Sequence, residues 1–435
     1  MTLYSKRLEE KLIEYRRDFH KYAEIKWTEF RTSSKVAEKL LELGVEVQMG
    51  LDIMEKGFQF SYPSHENIKK EIQRAIDQGA NQDMIKRMDR MTGVVGIIDT
   101  KKEGPTIAFR FDMDAMPITE SDEGKHFPKK NGFRSINEGY CHACGHDGHT
   151  AIGLGVAEVL MSIKDTLKGK IKLIFQPAEE GGGGARGIVK RGVLEDVDYF
   201  FAGHIGLTKL DGLGLKSRGI ICGVKDFLDN RRYNITYTGK AAHPCGDPHA
   251  GKNALLAAST AALNIHAIAP HSEGMMRVNV GVLRAGVSRN TIAPNAYLEI
   301  EVRGENDTVA NYGEDKMLSI VKGVAATYQI ECDIEHVGST PSAESDDEAI
   351  GLVLNCAKEI GWFQEFEPIG SVGGTDDASD MIRGVQKNGG IGTYIGLGAD
   401  FVGGFHHHAF DFDESVMLPS VELFVKLVQQ LQDKK

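Results

Sequence analysis

Lys170-Ile171-Lys172-Leu173-Ile174-Phe175-Gln176-Pro177-Ala178-Glu179-Glu180 is a short, mostly apolar run closed by a polar cluster, the pattern of a buried strand whose carboxyl end opens on a ligand or on solvent. The pattern recurs on both sides. Residues 106–111 end in Asp112 and Asp114, and residues 199–203 end in His204. Stretches with helical spacing separate these runs from about Thr92 to Gly206, which predicts an α/β fold built on a doubly wound mixed sheet. Ligands of such sheets sit beyond the carboxyl ends of the strands, so Asp112, Glu179, Glu180 and His204 are expected around one crevice. Cys144-Gly145-His146-Asp147-Gly148-His149 stands just before the helical pattern 150–163 and is expected at that helix's N-terminus.

Upstream, residues 53–91 form a charged insert with two helical patterns, Ile68/Ile72/Ile76 and Ile85/Met88/Met91, separated by Gln78-Gly79-Ala80-Asn81. It carries no cluster of ligand-type side chains, so a peripheral helical hairpin shielding the core is expected, with a partner-binding or substrate-covering role as the alternative. Downstream, the texture changes at about Val224. One strand pattern (233–238), a helix (253–267), two strands (277–283 and 297–303), a helix (316–328) and a last strand (331–337) follow in order. That sequence of elements is a compact β-α-β-β-α-β unit of ferredoxin-like type, inserted into the first domain. The helices 347–360 and 414–431 and the strand 389–396 then return to the first domain. The expected division is 1–223 and 341–435 for one domain and 224–340 for the other.

The chain has 435 residues, 41% of them hydrophobic and 26% charged, which is long enough for two domains and too apolar for disorder. A formal charge of −11 argues against nucleic acid or an anionic membrane as partner, since both need a basic surface, and favours a small-molecule substrate. Residues 1–20 read as an amphipathic helix with Leu8, Leu12, Ile13 and Phe19 on one face, without the apolar core of a signal peptide. A cytoplasmic location is therefore expected. Six cysteines are too few for a disulfide scaffold.

A metal-dependent hydrolase needs imidazole, thiolate or carboxylate ligands and, beside them, a base that binds no metal. Cys144, His146, Glu179, Glu180, His204 and the run His406-His407-His408 supply that inventory. Adjacent glutamates on an irregular loop can point differently, so one can hold a cation while its neighbour takes a proton from water. The pieces have plainer readings too. His204 alone reads as a hydrogen-bonded structural histidine, and paired glutamates as a solvated surface. Cys141 and Cys144 have dithiol spacing but lack the usual redox surroundings, and the glycine run 181–184 lacks the Gly-Lys-Ser/Thr ending of a phosphate loop.

Several motifs together resemble the amidohydrolase branch of the M20 metallopeptidase family over nearly the whole chain. They are Arg16-Arg17-Asp18-Phe19-His20, Tyr22-Ala23-Glu24, Trp27-Thr28-Glu29-Phe30-Arg31, Phe111-Asp112-Met113-Asp114-Ala115, the segment from His142 to Thr150, Phe175-Gln176-Pro177-Ala178-Glu179-Glu180 and Phe410-Asp411-Phe412-Asp413-Glu414. The helical insert is similar to that of the aminobenzoyl-glutamate subgroup. The resemblance implies two divalent metal ions, manganese or zinc with cobalt or nickel as alternatives, held by Cys144, His146, Glu180, His204 and His406, with His407 or His408 as alternatives to His406. It implies Glu179 as general base and Cys144 as a bridging thiolate, with Asp112 also in the catalytic machinery. In the inserted domain it makes His243, within Gly239-Lys240-Ala241-Ala242-His243, an oxyanion stabiliser supplied across a dimer interface. Asn290 and Arg303, with Arg289 for a second carboxylate, become the substrate-binding positions. The implied reaction is hydrolysis of p-aminobenzoyl-glutamate or a similar N-acyl amino acid by a homodimer, or by a heterodimer with a related chain paired through this lid. The alternatives are other N-acyl amino acids as substrate, a cysteine-nucleophile hydrolase using Cys144 and His146, and a non-catalytic partner subunit. Cys141 departs from the branch, which commonly has methionine there.

Overall fold

The computed structural model describes residues 5–181, 183–432 and 434. Two compact units emerge, one made of the chain up to Lys225 and from Glu344 onward, the other of Asp226–Ala343.

The first unit is built on an eight-stranded mixed sheet. Its spatial order is Glu46–Met49, Val94–Asp99, Lys170–Gln176, Thr106–Asp112, Tyr199–Ile205, Ile391–Leu397, Gly219–Ile221 and Glu365–Glu367. The four strands from Lys170–Gln176 to Ile391–Leu397 run parallel, so Gln176, Asp112, Ile205 and Leu397 lie along one edge. Val94–Asp99 is antiparallel to its neighbour, which brings its start, beside Thr92 and Gly93, to that same edge. Consecutive strand residues face opposite sides of a sheet. Phe111 and Phe175 lie under Gly153 of the helix His146–Ser162, where an added Cβ would come within 2.7 Å of both rings. The neighbouring Arg110 turns the other way, to Asp376 and Asp377 at the start of the helix Ala378–Lys387. Helices thus cover both faces, and the apolar strands are buried on both.

The helix carrying Gly153 begins at His146, one turn before the expected 150–163. Its first turn is polar yet buried, so hydrophobic periodicity had no purchase there. The N-terminal helix runs Lys6–Lys21 with Ser5 as N-cap; residues 1–4 of the expected helix lie outside the described residues, as does Gly182 of the glycine run. The insert forms the helices His65–Asp77 and Gln82–Met88. Asp89 and Arg90 then take left-handed backbone angles, so Met91 is not on the second helix as its spacing had suggested. No helix among the described residues is long and apolar enough to cross a membrane.

The second unit holds the strands Asp229–Thr238, Met276–Ala285, Asn295–Gly304 and Glu331–Thr340 with the helices Ala254–His266 and Asp307–Tyr328. All neighbouring strands are antiparallel, and the spatial order is fourth, first, third, second. Its first strand starts four residues before the expected 233, because Asp229 and Arg231 form an ion pair that satisfies polar groups a hydrophobic pattern cannot register. Tyr237, Leu298, Val302, Ala257 and Val321 belong to a core of its own.

Candidate active site

Three strand ends and one helix start build the site. Asp112 and Gln176 close their strands, His204 stands one residue before the end of the next, and His146 opens its helix behind Gly145. Gly145 takes φ 92°, a left-handed angle that glycine adopts without a steric penalty; it turns the chain so that Cys144 and His146 both reach the crevice. His406 comes from the loop after Phe401–Val402 and also has a left-handed backbone, φ 60°.

These side chains meet. The Cys144 Sγ lies 3.5 Å from His204 Nε2, and His406 Nε2 lies 3.3 Å from Glu180 Oε1. His146 Nε2 is 4.0 Å from Glu179 Oε2 and 3.7 Å from Asp112 Oδ2. Cys144, Glu180 and His406 offer donor atoms within 4.8 Å of one another, and so do His146, Glu179 and Glu180. His407 and His408 are exposed, and the His407 Nδ1 accepts the Ala409 N–H at 3.1 Å.

Both buried imidazoles are held in the tautomer a cation requires. His146 directs Nδ1 to the Asp114 carbonyl at 2.8 Å, and His204 directs Nδ1 to the Ile205 carbonyl at 3.0 Å. Each leaves its Nε2 turned into the cluster. Burial, reinforced by nearby His149, pushes His204 down to about 3 and keeps it neutral. Burial also opposes a charged His146, yet Asp112 and Cys144 raise its pKa well above the usual value. Glu179 is held well above the carboxylate range by burial, with Asp376 and Glu180 adding to it.

The donors fit divalent cations. His146 Nε2 and Glu180 Oε1 are buried and have no hydrogen-bond partner, an arrangement that costs free energy unless a cation or other donor completes it. Thiolate, imidazole and carboxylate together suit first-row divalent metals.

His149 also lies in the cluster, but both its nitrogens are committed. Nδ1 bonds to the Asp112 carboxylate and Nε2 accepts the Ile205 N–H at 2.8 Å, so it locks two strand ends together and offers no lone pair. Asp112, fully buried, also receives Arg110 at 2.6 Å. Arg110 in turn reaches Gln176 at 2.8 Å and Asp376 at 2.9 Å, and the Tyr394 hydroxyl donates to Asp376. None of Arg110, His149, Asp376, Asp377 and Tyr394 was singled out in the sequence. His149 carried a signal, a second imidazole three residues after His146. The two aspartates sit in Gly373-Gly374-Thr375-Asp376-Asp377 with nothing nearby to mark them.

The crevice is a cavity of about 320 Å³ lined by Cys144, Glu179, Glu180, His204, Tyr394 and His406 and, on its apolar side, by Leu207, Val372 and Phe405. Phe405 is 44% exposed and stands edge-on to His204 with ring centroids 5.5 Å apart.

His243, Arg289, Asn290 and Arg303 belong to the second unit. His243 is exposed, and its Nδ1 accepts the N–H groups of Cys245 and Gly246 at 3.2 and 3.0 Å. The ring proton therefore sits on the outward Nε2, a hydrogen-bond donor. Arg289 and Asn290 are exposed, and Asn290 Oδ1 accepts from Ser288 at 2.8 Å. Arg303 gives Nε and Nη2 to Glu301 at 2.7 and 3.0 Å, so part of the fork expected to grip a substrate carboxylate already holds one from its own strand.

Fold and site together define a metal-dependent amidohydrolase, and residues 108–430 match the model of peptidase family M20/M25/M40: the chain belongs to that family. It is 42% identical over 421 residues to the indole-3-acetyl-aspartic acid hydrolase of Enterobacter agglomerans, covering 96% of this chain and 95% of that protein. It is 41% identical to one of the subunits of the p-aminobenzoyl-glutamate hydrolase of Escherichia coli, covering 96% of this chain and 94% of that one. The crystal structure of an aminobenzoyl-glutamate utilization protein from Klebsiella pneumoniae superposes with a TM-score of 0.84 at 36% identity, over 99% of this chain and 98% of that one.

Proposed function

We propose that this enzyme uses two divalent metal ions to hydrolyse the amide bond of p-aminobenzoyl-glutamate or a similar N-aroyl or N-acyl amino acid. The observation that carries the reading is the pair of buried acceptors without partners, His146 Nε2 and Glu180 Oε1, in a cluster beside a second carboxylate, Glu179. In this reading Cys144, His146, Glu180, His204 and His406 would hold the ions, and Cys144 would do so as its thiolate. The ions when bound polarise the scissile carbonyl and acidify water.

The chain's own groups do the rest. Glu179 takes a proton as the water oxygen attacks the carbonyl carbon, then delivers it to the leaving nitrogen as the C–N bond breaks. Asp112, fixed by Arg110 and His149, faces His146 Nε2 and keeps that ring in place. His243 offers its outward Nε2–H to the oxyanion, supplied by a second, identical or related chain. Asn290, Arg303 and Arg289 receive the substrate carboxylates. The strand Met276–Ala285 is at the edge of its sheet, and Leu256, Leu263 and Leu283 are exposed on this unit, which supports pairing through this domain.

The substrate is favoured by the two relatives at 41% and 42% identity, both named for an aromatic acyl group joined to an acidic amino acid. Leu207, Val372 and Phe405 supply an apolar wall for such a group. A cysteine-nucleophile mechanism leaves Glu179, Glu180 and His406 without a task. The test is release of free amino acid from p-aminobenzoyl-glutamate, indoleacetyl-aspartate, hippurate and acetyl-glutamate by chelated and metal-reconstituted protein. Turnover should require metal and favour the aromatic acidic substrates. Turnover by metal-free protein would instead favour the thiol mechanism, and metal-replete protein inert on the whole panel would point to a non-catalytic partner chain.

A further inference from the structure

The loop that carries Glu179 and Glu180 has no regular structure, yet its backbone N–H groups repeatedly find buried carboxylates. Ala178 donates to Glu29 Oε1 at 2.8 Å. The next two groups, on Glu179 and Glu180, donate to Asp114 Oδ1 and Oδ2 at 3.0 and 2.9 Å. Beyond them Gly183 and Ala185 both donate to Asp377 Oδ2 at 3.1 Å. Ala178 takes φ 53°, a left-handed angle that is unfavourable for a residue with a Cβ and persists only where the surroundings impose it. The direction in which Glu179 leaves the chain depends on that angle.

Glu29 lies at the start of the helix Phe30–Glu42 and is fully buried. Its second oxygen accepts the Thr92 hydroxyl at 2.7 Å, so its carboxylate is held from both ends. The backbone around it leaves little slack. A Cβ on Gly93 would come within 2.8 Å of Pro177, and one on Gly184 within 1.7 Å of the Pro177 carbonyl. Trp27, itself left-handed at φ 64°, ties the same segment to the insert through Nε1 and the Phe60 carbonyl at 2.9 Å.

We propose that Glu29 is a positioning residue: by accepting the Ala178 N–H it holds Ala178 in the left-handed conformation and thereby sets the orientation of the Glu179 carboxylate. The consequence for catalysis rests on the reading of Glu179 as general base. Asp114 accepts the next two N–H groups, on Glu179 and Glu180, and the acceptor of the Ala178 N–H is Glu29.

Two variants of Glu29 separate acceptor geometry from mere packing. Glu29→Gln keeps an oxygen for Ala178 and turns its amide toward the Thr92 hydroxyl, which can accept; Glu29→Ala removes the acceptor. Misplacement of a catalytic group by about 1 Å costs up to roughly 100-fold, so Glu29→Ala should lower kcat about 10- to 100-fold. KM and bound metal should stay near wild type, and Glu29→Gln should recover most of the loss. Amide hydrogen exchange in the peptide spanning 175–181 should speed up in Glu29→Ala and not in Glu29→Gln. Thr92→Val, which frees one end of the carboxylate, should shift kcat and exchange in the same direction by less, and serves if the alanine variant does not fold. Wild-type exchange at 175–181 in the variant that lacks the acceptor, or equal impairment of the glutamine and alanine variants, would overturn the proposal. Glu179→Gln measured alongside reports on the base separately: full turnover there removes Glu179 from the chemistry, while the exchange data still decide what Glu29 does.

Discussion

Glu179 and Glu180 are chemically identical neighbours, and what distinguishes them is their surroundings. Glu180 Oε1 lies 3.3 Å from His406 Nε2, and the two share a cluster of donor atoms with Cys144, as suits a ligand. Glu179 lies near Asp376 and Asp377, whose negative charge adds to burial in favouring the bound proton. A group that accepts a proton from water and releases it to a departing amine benefits from that environment. Replacing it should therefore separate chemistry from metal binding. Glu179→Ala is expected to lose about 10²- to 10⁴-fold in kcat while metal content, read by elemental analysis, stays at the wild-type level. Loss of metal in step with activity would make Glu179 a ligand instead.

Among the elements, the helices Lys6–Lys21 and His146–Ser162 share a buried network of charges. Arg16 reaches Asp147 at 3.0 Å and Glu414 at 3.0 Å, and also pairs with Asp411. His20 bridges Asp147 at 2.8 Å and Glu120 at 3.0 Å. Burial alone would lower the His20 pKa, but its hydrogen bonds to Asp147 and Glu120, and their charges, outweigh burial and raise it to about 9 from the ordinary 6.5. A pKa raised in the folded state adds stability that is complete below about 6.5 and is lost as pH climbs through about 9. The melting temperature should therefore fall between about pH 6.5 and about pH 9.5. His20→Gln should melt lower at neutral pH and lose this part of the slope; a wild-type slope in the variant would show that other groups govern it.

At the scale of the whole molecule, the units have separate cores, and the proposed machinery is divided between them. Glu179 is on one and His243 on the other. If His243 acts on the site of a partner copy, Glu179→Gln and His243→Ala protein, each inactive alone, should complement when the chains are allowed to exchange. Random pairing leaves one intact site in each mixed dimer, so about a quarter of wild-type activity is expected. No recovery, with exchange of chains verified by native mass spectrometry, would rule out a site shared between identical chains.

The sheet and the ferredoxin-like unit were legible because strand and helix periodicities are local, and strand ends closed by Asp, Glu and His declare where a crevice opens. The metal-type residues were legible as a set because their kinds are rare together. What the sequence could not carry was the direction of each side chain. The His146 tautomer was decided by the Asp114 carbonyl, 32 residues away, and both nitrogens of His149 were committed by Asp112 and by an amide 56 residues away. Arg303 looks like a free guanidinium until strand pleating sets Glu301 beside it. Glu29 and Ala178 meet across 149 residues. Residue kinds and their spacing determined what chemistry this protein has at hand; only the packed backbone, which fixes every hydrogen-bond partner at once, decided which of those groups meet and which are already paired.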